Sequence, residues 1–129
     1  MIKIEEECPD SEKPDVFQRA MSTCLSTDSR DPIRILRILM KDPDVPFHGP
    51  VHHSLIPFAV LTAYRNSGGD IDLPLSMRRA HKRGSVIPAG ACGHWGACGA
   101  ALGCGIAFSI ITGDGPLAGE VWRKNQTMV

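Results

Sequence analysis

Apolar residues recur at helical spacing along most of this chain, and the alternation that marks strands is nearly absent. Val16, Phe17, Ala20, Met21 and Cys24 fall on one face of a helix expected over 14–25. Asp31-Pro32 is a start signal, because Asp caps free amides and Pro fits the first helical position. The helix that follows, over 33–41, buries Ile35, Leu36, Leu39 and Met40, and Asp42-Pro43-Asp44-Val45-Pro46 breaks it. A third helix, from Gly49-Pro50 to Arg65, is apolar on nearly every side and is therefore expected among the others. Asp72 caps a short amphipathic helix that runs to Arg83 with Leu75, Met77 and Ala80 inward, and a loop covers 84–90. A glycine-rich helix over 96–112 stops at Gly113-Asp114-Gly115-Pro116, and a last one begins near Leu117 with Val121 and Trp122. The expectation is an all-α array of five to six helices around two buried apolar ones. It forms one domain over 13–129, behind a flexible acidic tail over 1–12.

Two of these helices carry irregularities that need a reason. Pro57 cannot donate to the carbonyl of His53, so either the third helix kinks or it starts at Ser54 with the histidines in the preceding loop. Glycine costs about 1 kcal/mol against alanine inside a helix. Gly99 and Gly103 share a face, so they serve either tight packing against the Pro50–Arg65 helix or the close approach of a ligand.

At 129 residues the chain is long enough for one core and too short for two. Its 14 basic and 14 acidic residues balance, so net charge implies no polyanionic partner. Aromatic residues make up only 5%, which argues against a base-stacking surface, and no nucleic-acid partner is expected. The basic cluster Arg78, Arg79, His81, Lys82 and Arg83 reads as a solvated helix face, with phosphate or nucleic-acid contact as the alternative. The acidic start does not read as a signal peptide, and the apolar stretch over 97–112 is too short and too rich in glycine for a membrane span. Five cysteines without a leader suggest reduced, catalytic or metal-bound thiols rather than a disulfide framework.

The chemistry concentrates in two short segments. His48, His52 and His53 stand at the start of the third helix, where the positive helix end favours neutral imidazole, the form that ligates metals or acts as a base. Cys92 and Cys98 flank the bend into the glycine-rich helix, with His94 and Trp95 between them as additional candidates. Cys98 is expected in the first helical turn, and Cys104 as a small core residue on another face. The Cys-x5-Cys spacing differs from a zinc knuckle, so spacing alone gives little metal signal. If the two apolar helices pack with their starts at the same end, three histidines and two cysteines converge on a pocket that favours an anion.

The segments His48-Gly49-Pro50-x-His52-His53 and Cys92-Gly93-x-Trp95-Gly96-Ala97-Cys98-Gly99-Ala100 resemble the prokaryotic family called domain of unknown function 5714. Asp31-Pro32-Ile33, Ala63-Tyr64-Arg65-Asn66, Ser109-Ile110-Ile111-Thr112, and Trp122 with Asn125 support the resemblance, which covers 29–129. It implies a prokaryotic, cytoplasmic protein and brings no activity. Val51 stands where that family usually has Glu, and His94 where it more often has an apolar or aromatic residue. Relatives also tend to carry further cysteines on both flanks.

Three functions compete on this reading. The first is a metal-centred protein using some of His48, His52, His53, Cys92 and Cys98, a donor set that suits zinc or iron. The second is a metal-free reactive thiol with a histidine base. The third is a non-catalytic helical module binding a small anionic ligand or a protein partner, a homo-oligomer among the options. Whether the protein is an enzyme stays open.

Overall fold

Local chemistry sets most helix starts in the computed structural model, which describes residues 15–113 and 119–128. Helix α1 (Val16–Ser26) opens with a capping box, in which Asp15 accepts from the Gln18 amide and the Gln18 side chain accepts from the Asp15 amide. Helix α2 (Pro32–Leu39) has Asp31 as its cap, and α4 (Leu73–Ser85) has Asp72, each accepting from a first-turn amide. Such caps contribute about 1 kcal/mol apiece. The remaining helices are α3 (His52–Asn66), α5 (Ala91–His94), α6 (Gly99–Thr112) and α7 (Glu120–Met128). The protein is all-α, with no strand among the described residues.

Seven helices form among the described residues where five to six are expected, because the bend before α6 makes the one-turn helix α5. Helix α6 starts at Gly99 and not at Gly96, whose φ of +78° lies outside any right-handed helix. Helix α4 continues through Gly84 to Ser85, since Gly84 is buried against α3 and does not open a loop. On α4, Met77 and Ala80 are buried as expected, with Leu73 and Ser76 beside them, while Leu75 is exposed. Leu117 and the expected tail over 1–12 lie outside the described residues.

Helix α3 occupies the centre, in contact with α1, α2, α4 and α6, and α7 lies on α6. Its apolar surface on all sides requires this. Leu55, Phe58 and Leu61 are fully buried, together with Ile35 and Met77. Each such side chain stabilises the fold by about 1.5–3 kcal/mol relative to exposure. Cys24 belongs to this core, and burial pushes its thiol up, so it stays protonated.

Polar pins fix both ends of α3. Asn66 donates to the carbonyls of Thr27 and Ser29, tying the end of α3 to the α1–α2 connection. Arg19 on α1 pairs with Asp42 and Asp44 at 2.7 Å each, holding the segment that leads into α3. The Arg19 hydrogen bond, helped by the Asp44 amide, holds the Asp42 carboxyl below its usual range.

Candidate functional site

The start of α3 is closed by its own backbone. Both histidines lie inside the helix, which begins at His52 and runs through Pro57. The amides of His52, His53 and Ser54 bond to the carbonyls of Gly49, Pro50 and Val51, a tight first turn that needs no side-chain cap. His52 donates from Nε2 to the Pro46 carbonyl at 2.9 Å, which fixes its tautomer. His48 is exposed and meets the Phe47 ring edge-on.

Pro57 leaves the His53 carbonyl without a helical partner, and Gly84 accommodates it. A Cβ at Gly84 would stand 2.7 Å from that oxygen. The His53 imidazole reaches the other way, to α6. A Cβ at Gly99 would overlap the ring, 2.6 Å from Cε1. His53 is 8% exposed, and its Nδ1 is buried with no hydrogen-bond partner among the described residues. One residue thus explains two glycines on two helices. Gly103, one turn along α6, packs on Pro57 and Ile56, where a Cβ would lie 2.8 Å from Pro57 Cδ. Packing against α3 is therefore the reason for both Gly99 and Gly103.

The start of α6 is left open. Cys98 is the N-cap residue rather than a first-turn residue, has extended backbone, and makes no side-chain cap bond. The amides of Gly99, Ala100 and Ala101 have no hydrogen-bond partner among the described residues; the first bonded amide is that of Leu102, to the Cys98 carbonyl. Three donors and the positive end of a 14-residue helix are available there.

These two starts meet in a cleft of about 340 Å³. His48, His52, His53, Cys92 and Cys98 all line it, with Gly99 and Ala100. His94 and Trp95 do not; both are exposed, Trp95 by 67%. No carboxylate lines the cleft, and no Asp or Glu occurs anywhere over 73–113. Cys92 and Cys98 are exposed free thiols, while Cys104 is half-buried and lies outside the cleft. The imidazoles and thiols have the donor chemistry for zinc or iron. Among the described residues, however, no three His, Cys, Asp or Glu side chains are gathered to hold an ion.

Three features escape a reading of the residues alone. Gly84 looks like a loop opener until the freed His53 carbonyl is placed against it. His81 looks like part of a basic face, yet it turns inward, 2.9 Å from the Ser54 hydroxyl and tilted against the Phe17 ring. Its neighbours Arg78, Arg79, Lys82 and Arg83 are solvated as expected. The acid-free run over 73–113 was available as a signal for an anion site.

Residues 20–129 match the family model described as "Family of unknown function (DUF5714)", and the chain belongs to that family. The match begins earlier than the resemblance drawn from the motifs. No curated protein and no solved structure matches the chain. No helix among the described residues is long and apolar enough to cross a membrane.

Proposed function

We propose that this chain, whose family brings no activity with it, is a helical module that holds a small anionic molecule in the cleft between the starts of α3 and α6. One observation carries the reading. Among the described residues the first three amides of α6 are unpaired, at a wall without carboxylates and beside the His53 imidazole, whose Nε2 edge faces Gly99. Unpaired amides at a helix start point along the axis and bind phosphate or carboxylate oxygens directly. The volume lies at the lower end of the about 300–1,000 Å³ typical of small-molecule pockets. His48 stands at the same cleft, and its ring adds a hydrogen-bonding group there.

Calorimetric titration with inorganic phosphate and with succinate tests this. Saturable heat with at least one of them is expected, and its loss in Cys98→Asp, whose own carboxylate would occupy the amides. No heat with either anion contradicts the reading. Stoichiometric zinc or iron in protein purified without added metal would replace it with the metal-centred one.

A further inference from the structure

We infer that the same cleft is a dithiol–disulfide exchange site, at which Cys92 and Cys98 react with low-molecular-weight disulfides that carry an anionic group. The anionic preference rests on the reading above; the dithiol chemistry rests on separate observations. Of the four cysteines described, Cys24 is buried and Cys104 is half-buried outside the cleft. Cys92 and Cys98 alone combine exposure with a place in the cleft wall, and both are free thiols.

The segment between them is built to bend. Cys92 rides on α5, which takes part in none of the principal helix–helix contacts. Gly93 and Gly96 have nothing within 4 Å of where a side chain would stand. Gly96 holds a φ of +78°, a conformation that glycine adopts without strain. Cys98, by contrast, is fixed at the N-cap of α6. Rotation about these glycines can therefore bring the Cys92 thiol to Cys98. An anionic group held on the Gly99 and Ala100 amides would place its own disulfide beside Cys98, the residue next to those amides in the chain.

The exchange is balanced in sulfur, electrons and protons. The Cys98 thiolate attacks one sulfur of the small disulfide; that S–S bond breaks and the leaving thiolate takes up the proton given by Cys98. The Cys92 thiolate then attacks Cys98 Sγ, the mixed disulfide breaks, and the second small thiol leaves with the Cys92 proton. The protein dithiol is oxidised to a disulfide, and one small disulfide is reduced to two thiols. Excess small thiol runs the sequence backwards.

The test uses the full chain with Cys8→Ser and Cys104→Ser, so that the remaining cysteine besides Cys92 and Cys98 is the buried Cys24. This variant is treated with glutathione disulfide, which is anionic, and with bis(2-hydroxyethyl) disulfide, which is neutral. Peptide mapping without reduction should locate a loss of two hydrogens in the peptide holding Cys92 and Cys98. Trp95, between them, should lose fluorescence as the disulfide forms. Cys92→Ser should stop at a single glutathione adduct on Cys98. The anionic reagent should react about tenfold faster than the neutral one, with the advantage falling as salt rises. No Cys92–Cys98 disulfide with either reagent overturns the dithiol proposal, and phosphate binding can still stand. Equal rates with both reagents overturn the anionic preference and, with it, the reading of the α6 start, while the dithiol site survives.

Discussion

Helices α3 and α6 open onto one cleft, and their starts are finished in opposite ways. At α3 each first-turn amide is paired, His53 is locked between two glycines, and His52 is tied to Pro46. At α6 three amides have no partner among the described residues, the N-cap side chain makes no cap bond, and the preceding helix takes part in none of the principal helix–helix contacts. Both starts could have been closed by the same means, a cap or a tight turn. The contrast teaches that α3 carries the fold while α6 presents chemistry to the cleft. Under the proposed function, the unpaired amides mark where an anion has something to satisfy.

The largest test strikes the closed side. Gly84→Ala sets a methyl 2.7 Å from the His53 carbonyl, and backbone on a central helix cannot step aside cheaply. A loss of about 3 kcal/mol is expected in urea melts, the top of the range for overpacking. Gly103→Ala meets Pro57 and Ile56 and should cost about 1–3 kcal/mol. A gain of about 1 kcal/mol at Gly103, the intrinsic preference for alanine, would show that α3 and α6 do not touch there.

A matched pair of caps sharpens the comparison. Cys98→Ser should stabilise the protein by about 0.5–1 kcal/mol, because Cys98 already has the extended backbone of a cap and the amides await an acceptor. Val51→Thr, at the equivalent place on α3, should give no gain, because Val51 is helical and the amides are already paired. Equal gains at both positions would erase the difference between the two starts.

The smallest effect concerns acid. The Asp42 carboxyl titrates lower in the folded protein than in the unfolded chain, so its contribution is present above the unfolded value of about 4 and fades as pH falls through the lower, folded one. Asp42→Asn should flatten the acid side of the stability–pH profile, lowering stability slightly at neutral pH and leaving it unchanged in strong acid, a small effect because the pair is only partly buried. An unchanged acid slope would mean that Arg19 does not anchor the entry to α3 through Asp42.

Much of this was legible in the residues. Asp31-Pro32 and Asp72 announce helix starts through chemistry that is local, and the apolar surface of α3 announces its central place. The convergence of His48, His52, His53, Cys92 and Cys98 on one cleft followed from placing two helix starts at one end. The rest depends on contacts between distant residues. Whether Gly99 faced a ligand or packing could be settled only by finding His53 against it, 46 positions away in the chain. The separate helix α5 and the inward turn of His81 likewise depend on what the neighbouring elements leave room for.

The most direct measurement is a two-dimensional amide NMR titration of the isotope-labelled protein with inorganic phosphate. The resonances of Gly99, Ala100 and Ala101 should move first and saturate together, while those of His52, His53 and Ser54, already paired, should move little. Cys98→Asp should abolish the shifts at the α6 start. Equal, unsaturated drift of both sets, or shifts confined to the exposed Arg78–Arg83 face, would contradict an anion site at the start of α6.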